Sequence, residues 1–375
     1  MEKNLLSPTA PRLGFGLMRL PKVNGIIDIE ETSAMVDAFL QAGFDYFDTA
    51  YVYDGSEEAT RKALTARYPR SAYHIASKLP GTREGILLKE EDNERTFNES
   101  LERLGIDYFD CYLVHNASKE RIALYERLHS WEFCERMKQQ GRIRQLGFSF
   151  HDTPEKLREL LQAHPDMDFV QLQINFIDWN DPFLQARELY ETARAFGKKV
   201  IVMEPIKGGM LASLRGEHAE ALSRLNAGGT LASLALRFCA SLAGVPIILS
   251  GMSTLEQMQE NIETMRHVQP LSEQEREALL ACTSELRKQT GIGCTACHYC
   301  VQGCPEQIPI PEYINTLNNL NAFGKTPGVV SHYDFVTTTA SPAGACIACG
   351  QCESVCPQRL PIIQAMKDLA QALGK

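Results

Sequence analysis

Eight short apolar segments alternate with amphipathic segments over the first three quarters of this chain. Each apolar segment has the length and composition of a strand. The eight segments are Arg12 to Arg19, Gly43 to Ala50, Tyr73 to Leu79, Tyr108 to His115, Ile143 to Phe150, Phe169 to Phe176, Lys199 to Pro205 and Val245 to Gly251. The segments between them have helical periodicity, and the main ones are Ile29 to Gln41, Ser56 to Arg67, Glu90 to Leu104, Ile122 to Gln140, Pro154 to Ala163, Phe183 to Phe196 and Leu231 to Leu242. This alternation predicts parallel strands with right-handed crossovers, and eight units favour a closed (β/α)8 barrel.

An open dinucleotide-binding sheet is the competing α/β architecture. It requires a G-x-G-x-x-G turn between a strand and a helix. The nearest sequence, Gly14 to Arg19, lacks the third glycine and leads to Pro21 rather than to a helix. We therefore reject this architecture.

The barrel is expected to occupy residues 1–288 and a second, smaller domain residues 289–375. Ile206 to Leu231 is the longest segment between strands, and a long loop on the C-terminal face of a barrel usually contacts the ligand. Two helices then complete the first domain, Leu255 to Met265 and Ser272 to Lys288. The second begins with a capping box, in which Ser272 is the N-cap and Glu275 follows three residues later.

A cysteine-rich run occurs twice in the second domain. Cys294-Thr-Ala-Cys297-His-Tyr-Cys300-Val-Gln-Gly-Cys304-Pro305 recurs 52 residues later as Cys346-Ile-Ala-Cys349-Gly-Gln-Cys352-Glu-Ser-Val-Cys356-Pro357. Each copy continues into an apolar segment that contains proline and has the character of a helix start. The domain is therefore predicted to be a duplicated unit.

The spacing of these cysteines is typical of iron-sulfur proteins. In two-cluster ferredoxins the first three cysteines of such a run bind one 4Fe-4S cluster and the fourth binds the other. We therefore predict two 4Fe-4S clusters, one on Cys294, Cys297, Cys300 and Cys356, and the other on Cys346, Cys349, Cys352 and Cys304. Structural zinc, the alternative, fits poorly because it prefers paired C-x-x-C knuckles. Since Glu312 to Ala322 between the copies has helical character, we expect a small, mainly helical ferredoxin-like domain.

Composition limits the partners and the location of the protein. The net charge is −9 and the Lys and Arg residues are scattered, which argues against nucleic acid or an anionic membrane surface as a partner. No apolar run reaches the length of a membrane span, and the N-terminal stretch lacks the features of a secretory signal. We therefore expect a cytoplasmic protein, in which Cys111, Cys134, Cys239 and Cys282 are buried free thiols.

Polar side chains stand where consecutive barrel strands end. These are Asp48, Lys78 and His115 on the second, third and fourth strands, with Tyr53 on the loop after Asp48. Catalytic residues of barrels lie at this end of the strands. Hydride reduction of a carbonyl needs a proton donor, and a tyrosine near pKa 10 needs a nearby cation to serve as one. Lys78 can supply the cation, Asp48 can hold Lys78 in place, and His115 can donate a hydrogen bond to the carbonyl oxygen.

These residues give the sequence a resemblance to the aldo/keto reductase superfamily over about residues 12 to 285. The matching motifs are Asp48-Thr49-Ala50 with Tyr53, Ser77-Lys78, Leu113-Val114-His115-Asn116, Leu146-Gly147-Phe148-Ser149 and Gln259-Glu260-Asn261. The resemblance implies that Tyr53 is the general acid, that Asp48, Lys78 and His115 complete a tetrad, and that a nicotinamide cofactor binds without a Rossmann fold.

The resemblance also implies which residues contact the cofactor, and the sequence departs from the family at three of the positions. Ser149 and Gln171 would hold the carboxamide, and Gln257 and Asn261 would lie near the adenine. The usual asparagine after Ser149 is Phe150, and Met203 stands where an aromatic ring commonly stacks on the nicotinamide. From Gly251 to Gln257 there is no basic residue to bind a 2′-phosphate. NADPH is the cofactor typical of the family, and NADH stays an alternative.

Three functions are compatible with this combination of domains. The barrel interconverts a small-molecule carbonyl and alcohol with NAD(P)H, and the clusters are structural or regulatory. Alternatively, electrons pass between the clusters and a redox partner of ferredoxin or flavodoxin type. In the third case the chain is a non-catalytic nucleotide-binding redox sensor. Nicotinamide transfers electron pairs whereas a cluster transfers single electrons, and the sequence has no flavin signature.

Overall fold

Parallel strands close into a barrel in the computed structural model, which describes residues 5–6, 12–81, 85–182, 184–214, 217–227, 229–294, 299–356 and 360–374. Within these residues the eight barrel strands are β1 Arg12–Gly16, β2 Tyr46–Asp48, β3 His74–Leu79, β4 Phe109–Val114, β5 Ile143–Phe150, β6 Phe169–Gln173, β7 Lys199–Met203 and β8 Ile247–Gly251. Each strand pairs in parallel with the next, and β8 pairs with β1. The predicted (β/α)8 barrel is confirmed.

The helices of the barrel and its loops follow the predicted alternation. They are α1 Ile29–Gln41, α2 Ser56–Thr60, α3 Glu91–Leu104, α4 Lys119–Arg127, α5 Ser130–Gln139, α6 Pro154–Ala163, α7 Ala186–Ala195, α8 Glu217–Leu225, α9 Leu231–Ala240, α10 Leu255–Arg266 and α11 Glu273–Thr290. Several begin at the caps that the sequence provides. Asp28 accepts hydrogen bonds from the first turn of α1, and Ser272 and Glu275 form the predicted reciprocal capping box.

Some elements differ from the sequence-based prediction. The helix predicted over Ile122 to Gln140 is two helices, because His129 adopts a left-handed φ of 49° between α4 and α5. The first strand ends at Gly16, and Leu17–Arg19 forms a 3-10 turn. The long loop after β7 contains α8. A short antiparallel ribbon of Lys22–Val23 and Ile26–Ile27 follows β1.

The barrel core explains why the candidate site residues point to the inside. Buried apolar side chains that share one cluster include Tyr46, Ala76, Leu113, Phe169 and Leu249. Alternate residues of a strand face the same side, so the residues two positions further along each strand also face the barrel axis. Those residues are Asp48, Lys78, His115, Gln171 and Gly251. The strand period therefore places them at the C-terminal end of the barrel.

The chain divides into two compact units. The first consists of Met1–Asn175, Ala186–Pro205 and Leu236–Leu271, and the second of Phe176–Gln185, Ile206–Ala235 and Ser272–Lys375. Two barrel loops thus group with the C-terminal region. Within the second unit, α14 (Pro327–Val336) packs against the turn at Lys207–Gly209. A domain boundary near residue 289 stays a prediction.

The C-terminal region of the second unit is helical and repeats itself. Its helices are α12 Tyr299–Gln302, α13 Ile310–Phe323, α14, α15 Gln351–Val355 and α16 Ile362–Leu373. The helices within the two cysteine runs pack together, α12 with α15, and so do the helices after the runs, α13 with α16. Their core includes Tyr313, Ile314, Met366 and Leu369. None of the described helices combines the length and apolar character needed to cross a membrane.

Candidate functional site

Four residues predicted from strand ends lie together at the mouth of the barrel. The Lys78 ammonium contacts the carboxylate of Asp48 and donates a hydrogen bond to the Thr49 carbonyl at 2.7 Å. Its side chain is only 1% exposed. The same ammonium lies 4.9 Å from the centre of the Tyr53 ring, and the Tyr53 and His115 rings meet edge to face with their centres 5.9 Å apart. The structure therefore brings a phenol, an ammonium, a carboxylate and an imidazole into one site.

A tight turn between β2 and α2 holds Tyr53 in position. The Tyr53 N–H donates to the Ala50 carbonyl at 3.0 Å, and the Ser56 N–H donates to the Tyr53 carbonyl at 2.9 Å. The Ser56 hydroxyl donates to the Leu17 carbonyl and pairs with the Thr49 hydroxyl. The backbone around Tyr53 is thus fixed on both sides of the side chain.

The charges around Tyr53 and Lys78 oppose the effects of burial. Burial raises the pKa of Tyr53, Lys78 lowers it, Asp48 raises it again, and the net shift is upward. Burial lowers the pKa of Lys78, but Asp48 and Tyr53 together raise it by more, so the net shift is also upward. The site therefore holds a protonated phenol beside a permanently charged ammonium. Lys78 reduces the energetic cost of forming the phenolate without removing it.

His115 is held as a neutral imidazole. Burial, followed by the charge of Lys78, moves the pKa of His115 well below its usual range. Its backbone carbonyl accepts a hydrogen bond from the Tyr125 hydroxyl at 2.5 Å. Within the described residues, its buried Nδ1 has no hydrogen-bond partner. A neutral imidazole has one N–H to donate, so His115 can polarise a carbonyl without a positive charge.

Ser149 and Gln171 stand side by side on neighbouring strands. They are register partners on β5 and β6, and both are buried. The Ser149 hydroxyl accepts from the Asn116 N–H at 2.8 Å. The Gln171 side-chain amide donates to Asp48 at 3.1 Å. Sequence reasoning assigned Gln171 only to the cofactor and missed this contact, which the inward-facing positions of both residues make possible.

The remaining predicted cofactor residues lie at the ends of β7 and β8 and on α10. Met203 is the last residue of β7, and Gly251 is the last residue of β8, opposite Gly16. The side-chain oxygen of Gln257 accepts from the Ser253 N–H at 2.9 Å. Asn261 is buried and donates to the Ser250 hydroxyl at 3.1 Å, so it connects α10 to β8.

A basic residue reaches the end of β8 from a distant part of the sequence. Arg19 follows β1, and its side chain lies 3.6 Å from the position that a Cβ atom would take at Gly251. Its backbone carbonyl accepts from the Ser253 hydroxyl at 2.7 Å, and its guanidinium pairs with Glu204 at 3.0 Å. Arg19 was not predicted from the sequence, because only Gly251 to Gln257 were considered as the source of a cation. The first and last strands of a barrel are adjacent, and this brings Arg19 and Gly251 together.

Four cysteines of the two runs line one cavity in the second unit. Its walls include Cys304 of the first run and Cys346, Cys349 and Cys352 of the second. The other walls are mostly apolar, with Ile308, Ile310, Ile362, Ile363 and Met366 among them. These four cysteines form one of the two ligand sets predicted from the sequence.

A 4Fe-4S cluster fits the chemistry of this cavity. Among the described residues, no three Cys, His, Asp or Glu side chains converge as ligands of a single metal ion do. In a four-iron cube each iron takes its own thiolate, so the ligands surround a volume rather than a point. Of the other predicted set, Cys300 is buried, Cys294 and Cys356 are partly buried, and Cys297 lies outside the described residues.

Four cysteines of the chain lie outside the two runs. Cys111, Cys134 and Cys239 are buried and Cys282 is partly buried, all as free thiols. Burial raises the pKa of each of these thiols, which lowers their reactivity.

Two protein families are similar to consecutive parts of the chain. A family model described as the aldo/keto reductase family matches residues 12–283. A second family model, described as a 4Fe-4S dicluster domain, matches residues 293–360.

Individual relatives are similar to this chain over the residues that align. An aldo-keto reductase of Mycobacterium sp. (strain JLS) is 29% identical over 201 residues, which is 54% of this chain and 66% of that protein, just under two thirds of its length. An L-galactose dehydrogenase of Arabidopsis thaliana is 27% identical over 304 residues, covering 75% of this chain and 93% of that protein.

Solved structures share the fold of the barrel. An aldo-keto reductase from Bacillus halodurans in its holo form has a TM-score of 0.60 and 24% identity, with 73% of this chain and 92% of that chain covered. An aldo-keto reductase from Klebsiella pneumoniae in complex with NADPH has a TM-score of 0.57 and 24% identity, with 72% and 90% covered.

Proposed function

Because this chain belongs to the aldo/keto reductase family and continues into a 4Fe-4S dicluster domain, we propose that it interconverts a carbonyl and an alcohol at the barrel mouth with Tyr53 as the general acid. The observation that carries the proposal is the meeting of Tyr53, Lys78, Asp48 and His115 in one site. A bound NADPH or NADH would supply the hydride, and the oxidised form of the cofactor would accept a hydride in the reverse direction.

The four side chains have distinct roles in this reaction. His115 donates its N–H to the carbonyl oxygen and draws charge towards it. Tyr53 transfers its proton to that oxygen as negative charge develops there. The Lys78 ammonium, which lies 4.9 Å from the centre of the Tyr53 ring, stabilises the resulting phenolate. Asp48 keeps Lys78 charged and in place, and the Gln171 amide fixes Asp48 from the other side.

The cofactor would be held at the ends of β5 to β8. Ser149 and Gln171 offer adjacent polar groups for a carboxamide, Met203 offers an apolar surface, and Gly251 leaves the end of β8 open. Gln257 and Asn261 would lie towards the adenine. Arg19 adds one positive charge beside Gly251, but Glu204 neutralises part of it, so NADPH and NADH both stay candidates.

The C-terminal domain, residues 289–375, would bind two 4Fe-4S clusters. Each run of cysteines would supply three ligands to one cluster and its fourth to the other, as the cavity lined by Cys304, Cys346, Cys349 and Cys352 supports. When bound, the clusters carry single electrons. The apolar walls of the cavity would shield part of the cluster from water, on the side away from the exposed Cys349.

The activity is tested with Tyr53→Phe. We expect the variant to lose carbonyl reduction by a factor of 10² to 10⁴, with binding of NADPH and NADH nearly unchanged. Tyr51→Phe is the matched control, because Tyr51 lies two residues away but donates to Glu99 at 2.5 Å. Absence of reductase activity in the unmutated, cluster-loaded protein across aldehydes, ketones and quinones would contradict the proposal and favour a redox sensor.

A second function is favoured by the exposure of one candidate cluster ligand. Cys349 is exposed, and Ile347 between Cys346 and Cys349 is 61% exposed. Electrons can enter or leave a cluster most readily where it lies near the surface, so a redox partner of ferredoxin or flavodoxin type could exchange electrons here. Stopped-flow absorbance tests this function. If NAD(P)H never bleaches the cluster absorbance, with or without a carbonyl substrate, the electron-transfer function is wrong.

A further inference from the structure

Arg121 lies just beyond the end of β4 and has no acidic partner among the residues that the structure describes. It belongs to the first turn of α4, and its guanidinium donates to the Ser118 hydroxyl at 3.2 Å. Some arginines of the first unit pair with carboxylates, as Arg12 does with Asp45 and Arg70 with Asp110, whereas Arg142 and Arg194 donate to uncharged oxygens. A partly buried guanidinium that is fixed in place but not neutralised is available to an external anion.

The charge of Arg121 acts on the groups that surround His115. After burial, which is the main cause, Arg121 contributes to the lowered pKa of His115 and of His151. It also acts on Tyr125, whose hydroxyl holds the His115 carbonyl at 2.5 Å. Geometry agrees with this, because Arg121 donates to the hydroxyl of Ser118 and the Ser118 N–H donates to the Asn116 carbonyl at 2.8 Å. Arg121 therefore lies against the segment that follows His115 at the end of β4.

Two buried polar atoms in the same segment lack partners among the described residues. They are Nδ1 of His115 and the side-chain oxygen of Asn116. Asn116 has a left-handed φ of 53°, and its N–H is bound by the Ser149 hydroxyl, so its backbone is fixed. Buried polar atoms normally have hydrogen-bond partners. Their presence beside an unneutralised guanidinium indicates a site for a polar ligand.

The balance of charge at the mouth determines whether that ligand is an anion or a cation. Lys78 is neutralised by Asp48 and Arg19 by Glu204, whereas His115 and His151 are neutral at pH 7. Arg121 therefore contributes a net positive charge. A single planar guanidinium matches a carboxylate, which it can bind through two parallel hydrogen bonds.

We propose that Arg121 binds a carboxylate of the substrate, so that the carbonyl compounds reduced at Tyr53 are oxo acids. The carboxylate pairs with the guanidinium of Arg121 while the carbonyl oxygen lies between Tyr53 and His115. This inference rests on the proposed carbonyl reduction and adds the substrate class. Arg121 is a specificity-determining residue in this arrangement and transfers no proton.

The test compares 4-carboxybenzaldehyde with its methyl ester, which has nearly the same shape but no charge. For the unmutated, cluster-loaded protein we expect kcat/KM to be higher for the acid. In Arg121→Gln the acid-to-ester ratio of kcat/KM should fall about 10- to 100-fold, as loss of a charge-assisted bond implies. Arg121→Lys should restore part of the ratio. Arg127→Gln, at the exposed end of the same helix, should leave it unchanged.

Calorimetric binding of the two aldehydes provides a measurement that does not depend on turnover. We expect the acid to bind more tightly than the ester and to lose that advantage in Arg121→Gln. Equal acid-to-ester ratios in the unmutated protein and Arg121→Gln would overturn the proposal. So would a loss of NADPH and NADH binding in Arg121→Gln, since Arg121 would then serve the cofactor. If neither aldehyde is reduced but the acid binds through Arg121, the reductase function fails while the carboxylate site stands.

Discussion

The ammonium of Lys78 lies 4.9 Å from the centre of the Tyr53 ring while it contacts Asp48 and the Thr49 carbonyl. This geometry gives one cation two functions. It fixes the buried carboxylate at the end of β2, and it lowers the pKa of a phenol that burial raises. The stability of the strand ends and the acidity of Tyr53 therefore depend on the same side chain.

Replacing Lys78 should separate these two functions. In Lys78→Met, we expect kcat/KM for carbonyl reduction to fall by 10² to 10⁴. The unfolding free energy should fall by about 3 to 5 kcal/mol, because Asp48 keeps a buried charge without a positively charged partner. The double variant Asp48→Asn/Lys78→Met removes both charges and should recover much of the stability without recovering activity.

The pH profile provides an independent check of the Lys78 prediction. Tyr53 must be protonated to act as an acid, so activity falls as the pH rises through its pKa. Loss of Lys78 removes the main influence that lowers this pKa, so the alkaline limb should move to higher pH while the maximum falls. Lys62→Met, an exposed lysine near α2, is the control. An alkaline limb that stays in place would show that Lys78 does not act on Tyr53.

His115 should stay neutral throughout the working pH range. Its folded pKa lies well below 6.5, so its ring should not titrate between pH 8 and 5.5 in a proton NMR experiment. In this window the unfolded chain binds more protons than the folded chain, so the unfolding free energy decreases as the pH falls below 6.5. The contribution of His115 grows as the pH falls below 6.5, by at most about 1.36 kcal/mol per pH unit.

Comparing His115→Gln with the unmutated protein isolates this contribution. The variant cannot titrate at position 115, so its loss of stability between pH 7.5 and pH 5 should be smaller by that contribution. Urea unfolding followed by tryptophan fluorescence at the two pH values measures the difference. Equal losses in both proteins would mean that His115 is already charged in the folded state.

The barrel site was predictable because Asp48, Lys78 and His115 stand where apolar strands end and Tyr53 follows on the loop after Asp48. The period of two fixed the direction of Asp48 and Lys78, and the order of strands made them neighbours. The contact from Gln171 to Asp48 crosses the barrel interior between strands that are not adjacent, and no local pattern indicates such a contact. The position of Arg19 was not predicted for a related reason, since Gly251, its neighbour in space, is far away in sequence.

Glu57 should contribute far more to stability than its neighbour Glu58. Both pair with Arg103, at 3.3 and 3.6 Å, but Glu57 is 1% exposed and Glu58 is 52% exposed. Glu57 also accepts a hydrogen bond from Ser77, the residue before Lys78, at 2.7 Å. Glu57→Ala leaves buried polar groups without a partner and should cost about 2 to 4 kcal/mol.

Glu58→Ala is the matched control for this comparison and should change the unfolding free energy by about 0.5 kcal/mol or less. Thermal unfolding followed by circular dichroism measures both variants. We also expect Glu57→Ala to reduce kcat. Glu57 binds the Ser77 hydroxyl, and Ser77 directly precedes Lys78 on β3. Similar stability losses in the two variants would contradict the assignment of Glu57 as the buried anchor.

Local backbone geometry limited the prediction of individual elements more than the prediction of the fold. The spacing of apolar residues from Ile122 to Gln140 is continuous, yet the left-handed conformation of His129 divides it into α4 and α5. A histidine carries no strong helix-breaking signal, so only tertiary packing determines this break. In the tail, α14 was missed because Pro327 and Gly328 at its start resemble a turn, although proline is favoured in the first turn of a helix.

The crossed assignment of the cysteines predicts an unusual pattern in double variants. Cys304 belongs to the first run but lines the cavity of Cys346, Cys349 and Cys352. If these four bind one cluster, Cys304→Ala and Cys349→Ala remove the same cluster. Each single variant and the double variant should then all retain about half of the iron and sulfide.

Combining Cys304→Ala with Cys300→Ala should instead remove both clusters, because Cys300 is assigned to the other set. Assignment of each run to its own cluster predicts the reverse for both double variants, so the two arrangements cannot give the same result. Anaerobic purification followed by iron and sulfide analysis and electron paramagnetic resonance of the reduced protein measures cluster content. Cys282→Ala, which lies outside both runs, should retain full cluster content. If the four cysteines around one cavity bind one cluster, the two cysteine runs must fold together, since under this assignment neither run supplies all the ligands of a cluster alone.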